Sequence, residues 1–283
     1  MKVLIAGARG QLGQAAQQVF RANQDDVLVW NRPQHDVTNP SITHEVVGAN
    51  PDLLINAAAW TNVDGAESDP DGAYAANMLG PLYLAEGCRR CGARMIHVST
   101  NEVFAGDSGR FYREYDQPNP GSVYARSKFA GEEAVRSTLT ESYIVRVAWQ
   151  FGVGENNFPS KMLAAGAKHK VLRVVNDEFG NPTYAKDVAH AMTKLIQHEH
   201  YGIYHLINEG RASRFELAQA ALLQWGLGEV SLTPIAGSQW PRPTTPPGHA
   251  VLVNQAAATL GIQLRPWQEA LAEYLIEKRE QKA

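Results

Sequence analysis

Seven residues near the N-terminus, Gly7-Ala8-Arg9-Gly10-Gln11-Leu12-Gly13, narrow the folds open to this chain more than any other stretch. They follow directly on a short apolar run at 3–6 and lead into an amphipathic pattern of helix length. Between a strand and a helix, a Gly-x-x-Gly-x-x-Gly spacing permits a tight turn. It also lets the backbone approach a pyrophosphate, which rests on the helix N-terminus. A plain glycine-rich turn is the simpler alternative. Placement straight after a first strand favours a dinucleotide-binding turn, with Gly7, Gly10 and Gly13 as candidate contacts.

The chain after this turn keeps the rhythm that such a turn requires. Apolar runs of strand length recur at 27–30, 53–56, 95–99 and 143–147, with amphipathic stretches such as GPLYLAEGCRRCG and SVYARSKFAGEEAVRS between them. Strand–helix alternation implies βαβ units and a parallel sheet covered on both faces. Right-handed crossovers make it a doubly wound, Rossmann-type sheet of α/β class. Past Trp149 the pattern loosens. KVLRVVND and GIYHLIN read as strands, and AKDVAHAMTKLIQ and RFELAQAALLQWG as helices. The stretch at 240–249 holds too many prolines for a helix or a central strand. RPWQEALAEYLIEKREQ closes the chain as an amphipathic helix with Pro266 near its first turn. The expected division is an NAD(P)-binding domain at 1–150 and a smaller, mainly substrate-binding lobe at 151–283, with some later segments returning to the first.

Composition matters chiefly for what it removes. With 44% hydrophobic and 19% charged residues among 283, the chain has the makings of a folded core rather than a disordered one. A net charge of −3 and the lack of a Lys/Arg run argue against a nucleic-acid partner. The apolar run in MKVLIAG is too short for a signal peptide or a membrane span, so a cytoplasmic protein with no membrane partner is expected. Cys88 and Cys91 form a CxxC at the end of a helical pattern. No second Cys or His pair stands at metal spacing, so they read as incidental reduced thiols, and no metal is expected.

Which dinucleotide is a question for the end of the second strand. NAD-preferring sites have an acid there to hold the ribose 2′-hydroxyl. Here the chain reads Trp30-Asn31-Arg32, and a further arginine, Arg9, lies within the glycine turn. Two guanidiniums suit a 2′-phosphate, which favours NADPH and leaves NADH as the alternative. The competing reading has both arginines facing solvent. Asp36 and Val37 follow closely enough to flank the adenine. Ala57, Ala58 and Ala59 end the third strand with side chains small enough for the cofactor to lie against the backbone, unless they serve packing alone. Asn77 is expected to brace the loop after the fourth strand, with an exposed helix position as the alternative.

The fourth strand ends in Ser99 and Thr100, at the carboxyl edge where the nicotinamide would lie. The next helix carries Tyr124 and Lys128, four residues apart and so on one face. Reducing a ketone needs a hydride donor and a proton donor. A tyrosine is a slow acid near neutrality unless a neighbouring ammonium stabilises its phenolate. Thr100, Tyr124 and Lys128 are therefore the candidate catalytic set, and Lys128 is also placed to hold the nicotinamide ribose. An unremarkable Tyr and Lys on a wet helix face is the alternative.

At these residues the chain resembles the extended short-chain dehydrogenase/reductases, and more closely the dTDP-4-dehydrorhamnose reductase family. GARGQLG, INAAAWTNVDGAES, HVSTNEVF, YARSKFAGE, VRVAWQFG, NNF and GNPTYAKDVA stand in that family's order along nearly the whole chain. The resemblance implies NADPH-dependent reduction of the 4-keto group of a nucleotide-linked 6-deoxyhexose. In it, Thr100 polarises the keto oxygen, Tyr124 donates the proton, and Lys128 tunes Tyr124 and grips the ribose. It adds Gln11 and Leu12 to the cofactor contacts. It places Trp149, Asn156, Asn157 and Phe158 toward the sugar nucleotide, although by itself Trp149 reads equally as a core aromatic. The family usually has Asp-Tyr after the threonine, where this chain has Asn101 and Glu102, and Ala105 replaces an acid. These departures bear on the sugar and the nucleotide, with Asn101 at the mouth of the site. The acid of the magnesium-bridged dimers is also replaced, by Gln14 and Ala15, and a monomer or a homodimer is expected. Alternatives are another nucleotide-sugar 4-ketoreductase or epimerase, or a non-catalytic dinucleotide-binding regulatory subunit.

Overall fold

Five strands, β1 (Lys2–Ala6), β2 (Asp26–Trp30), β3 (Leu53–Asn56), β4 (Arg94–Thr100) and β5 (Ser142–Val147), pair with a later one, Gly202–His205. The sheet order is Gly202–His205, β5, β4, β3, β1, β2, and every pairing is parallel. The computed structural model from which this is read describes residues 1–106, 109–154 and 156–281, so the last two residues of the expected second lobe lie outside it. β3 and β5 are buried along their whole length, as continuous apolar runs covered on both faces should be. The chain leaves β1 for β2 on one side and reaches β3 on the other. A crevice therefore opens beyond the carboxyl ends of β1 and β3, where such sheets take ligands.

Two apolar layers cover the sheet. On one face, α1 (Gln11–Ala22) and the helix Ala185–Leu195 lay Leu12, Val19, Phe20, Val188 and Met192 against Val3, Ile5, Ile55 and Val145. On the other, helices Ile42–Ala49, Gly80–Cys91 and Val123–Thr138 pack Val46, Leu84 and Val135 against Leu4, Leu54, Met95 and Ile144. Each such fully buried aliphatic side chain contributes about 1.5–3 kcal/mol of transfer free energy.

Beyond Phe151, a smaller cluster forms around Phe151, Leu163, Tyr184, Leu217, Trp267 and Tyr274. Beside it the strand Val171–Val175 pairs in parallel with Ser231–Ile235, apart from the main sheet. The segments Ala185–Leu195 and Gly202–His205 return to the sheet side. The proline-rich stretch forms no helix, and its Thr244 hydrogen-bonds Asp64, after β3, through both backbone N–H and hydroxyl. Cys88 and Cys91 are free thiols, Cys88 buried. Among the described residues, no helix is long and apolar enough to cross a membrane.

Candidate active site

The glycine turn is shaped by close approach. Gly7 has φ +76°, and a β-carbon there would lie 2.5 Å from the Ala58 nitrogen; one on Gly13 would lie 2.3 Å from the Gly7 carbonyl. Both positions therefore require glycine, one to seat the turn on β3 and the other to seat α1 on the turn. Gly10 is the N-cap of α1 and supplies no side-chain cap, and the first helical turn holds no acid. The free N–H groups and dipole leave this end electropositive. Arg9 joins it, its backbone N–H donating to Asn31 Oδ1 at 2.8 Å and its guanidinium to the Arg32 carbonyl.

A cavity of about 560 Å³ runs from this turn to the end of β4. Gly10, Gln11, Leu12, Gly13, Ala57 and Ala59 line one end, and Thr100, Asn101, Glu102, Tyr124 and Lys128 the other. Trp149, Gln150, Asn156, Thr61 and Arg214 border both this cavity and a second of about 640 Å³, which Phe158, Lys161, Arg173, Glu178, Trp240 and Arg242 complete. The helix Val123–Thr138 starts under Ser122, whose hydroxyl accepts from the Ala125 N–H, and this fixes the turn that carries Tyr124 and Lys128.

The Lys128 ammonium is buried and donates to the Val98 carbonyl at 2.6 Å. Burial pulls it down to about 8, opposed by Glu132 one turn on. Burial raises the Tyr124 phenol well above its ordinary value, Glu102 adds to the rise, and the Thr100 hydroxyl works against it. Lys128, whose ammonium turns to the Val98 carbonyl, is not among the groups that shift the phenol here. Burial likewise lifts Glu102 to about 7, while Arg214 and Arg242 pull it down and Glu178 and Asp64 push it up. Arg214 lies 3.7 Å over the Trp149 ring and 5.1 Å from that of Phe158. Trp149 itself has φ +41°, a left-handed conformation rare for a bulky residue, and its indole fills the space that a β-carbon on Gly180 would take.

Several expected contacts lie behind the cavity wall. Gly7 and Ala58 form the packed seat of the turn, and the Ala58 N–H donates to Asn56 Oδ1. Asp36 Oδ1 accepts from the backbone and hydroxyl of Thr38, and Val37 is buried against Gly80. Asn31 and Arg32 border Arg9 outside the lining. Asn157 touches the second cavity, but its amide is spent on Gly152, Gly154, Ser160 and Tyr274. Asn101 donates to the Ala250 carbonyl, tying β4 to the proline-rich loop. Asn77 corrects an expectation. It lies in a π-helical turn and grips Trp60, after β3, accepting from its N–H and donating to its carbonyl, rather than bracing the loop after β4. The arginines Arg214 and Arg242 had no signal in the sequence, because only the fold brings 214 and 242 to residue 102.

The chain is similar to known proteins along nearly its whole length. A family model described as RmlD substrate binding domain matches residues 1–280. The spore coat polysaccharide biosynthesis protein SpsK of Bacillus subtilis is 38% identical over 98% of this chain and 98% of its own length. The dTDP-4-dehydrorhamnose reductase of Mycobacterium tuberculosis is 39% identical over 96% of this chain and 91% of its own length. The solved structure of dTDP-4-dehydrorhamnose reductase from Bacillus anthracis in complex with NADP superposes with a TM-score of 0.94 at 33% identity, covering 98% of this chain and all of that one.

Proposed function

The chain belongs to the family described as RmlD substrate binding domain, and from that footing we propose that it is an NADPH-dependent oxidoreductase that reduces the 4-keto group of dTDP-4-dehydrorhamnose to give dTDP-L-rhamnose. One observation carries the reading. Thr100, Tyr124 and Lys128 line the same cavity as the uncapped start of α1, so a proton donor and a pyrophosphate seat face one space.

The residues present fit the cofactor. The first turn of α1 offers N–H groups with no competing acid, Ala57 and Ala59 leave room beside it, and Arg9 and Arg32 are the guanidiniums for a 2′-phosphate. NADPH, when bound, supplies the hydride. Lys128, largely charged at neutral pH, is placed for the nicotinamide ribose. Thr100 orients the keto oxygen by a hydrogen bond. Tyr124, which burial keeps protonated across the neutral range, gives its proton to that oxygen as the alkoxide forms.

On this reading residues 1–150 hold the cofactor, and the lobe beyond them holds most of the nucleotide. Lys161, Arg173 and Arg242 around the second cavity suit the diphosphate, and Trp149 and Phe158 the sugar or base. The test is NADPH oxidation with dTDP-4-dehydrorhamnose, compared between wild type and Tyr124→Phe. The variant should bind cofactor normally and lose about 10²–10⁴-fold in kcat. No turnover by the wild type, or an unchanged kcat in the variant, overturns the proposal.

A further inference from the structure

We propose that Glu102 reads the sugar: its carboxylate accepts a hydrogen bond from a ring hydroxyl of the bound sugar nucleotide. The proposal rests on the ketoreductase reading of the same cavity. Glu102 lies in the single 3-10 turn Asn101–Val103 that follows β4, and its N–H donates to Thr100 Oγ1 at 3.2 Å. Its backbone is therefore tied to the hydroxyl that meets the keto oxygen. Its side chain borders the cavity beside Thr100, Tyr124 and Arg214.

That carboxylate has no hydrogen-bond partner among the described residues, and its Oε2 is shut away from solvent. Neither nearby cation hydrogen-bonds it: Arg214 rests on the Trp149 ring and Arg242 pairs with Glu178. Buried carboxylates are ordinarily hydrogen-bonded, and one left unmet carries a desolvation penalty. An ionised carboxylate is acceptor-only, so what completes it must donate. A phosphate would be repelled, whereas a ring hydroxyl beside the reacting carbon supplies the missing proton. The diphosphate is left to the cationic second cavity.

The charged and titratable groups around Glu102 are Tyr124 on the catalytic helix, Arg214 on the helix Arg214–Trp225, Arg242 on the proline-rich loop, and Glu178 and Asp64. In the free site burial holds the carboxyl up to about 7. A donated hydrogen bond favours the ionised form, so sugar binding near neutral pH should release a proton.

The experiment is calorimetric titration of the NADP-loaded enzyme with dTDP-L-rhamnose and its 2-deoxy and 3-deoxy forms, using wild type, Glu102→Ala and the isosteric Glu102→Gln. Glu102→Ala should weaken dTDP-L-rhamnose by roughly ten- to a hundredfold, the range of a hydrogen bond to a charged group. One deoxy ligand should lose as much on the wild type, and the two losses should not multiply when combined. Titration in buffers of different ionisation enthalpy should find the released proton in the wild type and not in Glu102→Gln, which also serves if the alanine variant fails to fold. If the wild type binds dTDP-L-rhamnose and turns over its 4-keto precursor, yet the losses multiply for both deoxy ligands, the role of Glu102 is wrong while the ketoreductase reading stands. If the wild type neither binds nor turns over, both fall together.

Discussion

The helices Val123–Thr138 and Arg214–Trp225 each bring a charge to the catalytic cavity, Lys128 buried and Arg214 half-buried, and they treat it in opposite ways. Beneath Lys128, Glu132 accepts from Arg146 through Nε at 2.9 Å and Nη2 at 2.7 Å, and from the Ser99 hydroxyl at 2.5 Å. Arg146 is in turn covered by the Phe104 ring, 5.1 Å away. Across the cavity, no described carboxylate lies within ion-pair distance of Arg214, which rests on aromatic faces instead. A ring face attracts a guanidinium without occupying its N–H groups. On the floor Glu132 is thus met by protein donors, with only Arg146 Nη1 of the pair left without a partner, while across the cavity neither Arg214 nor Glu102 has an ion-pair partner among the described residues. A site that must hold its shape and still receive a polar ligand divides its charges in this way.

The contrast can be broken most forcefully at Arg146. Arg146→Met leaves Glu132 buried beside a single hydroxyl donor and should cost about 3–5 kcal/mol, read from the urea unfolding midpoint. A loss near zero would show that the floor pair is dispensable. Arg214→Met removes a charge whose guanidinium no described carboxylate pairs. Its stability should move by no more than about 2 kcal/mol, the scale of a desolvated cation–π contact, while KM for the sugar nucleotide rises. A stability loss as large as at Arg146 would erase the difference between the two sides. A third test is the pH dependence set by Glu102. Its folded value of about 7 lies above the ordinary 4.5, so its contribution to stability is full below 4.5 and is lost as pH rises through 7. The Tm of Glu102→Gln relative to wild type should therefore climb between about pH 5 and about pH 8. A flat difference would mean that the carboxyl is not desolvated.

The parts of this site that were legible in the sequence are those in which local pattern and chemistry coincide. Gly7, Gly10 and Gly13 sit where a strand must turn into a helix, and Tyr124 and Lys128 share a helical face, so spacing alone placed them. Arg146 lies within a strand of apolar pattern, and its partner is 14 residues earlier on a helix. Nothing local announces that pair. Arg214 opens a helix behind a capping box formed by Ser213 and Glu216, a sign of where a helix starts but not of what its first side chain faces. The left-handed turn at Trp149 depends on the glycine at 180, which strand pairing delivers. The acidity of Tyr124 escaped for a related reason. The lysine was visible four residues along, while the burial and the Glu102 charge that raise the phenol belong to the folded cavity.

Gln11, in the first turn of α1, donates through Nε2 to the Asn156 carbonyl at 2.9 Å. That bond joins the seat of the dinucleotide to a residue on the rim of the second cavity, and it imposes a thermodynamic symmetry. Whatever factor cofactor binding applies to sugar-nucleotide affinity through this contact, the sugar nucleotide must return to cofactor affinity. The factor is bounded by the net worth of one exposed hydrogen bond, about 0.5–1.5 kcal/mol, or roughly two- to tenfold. The two ligands thus exchange information about each other's presence before they touch, in a currency no larger than a single amide proton.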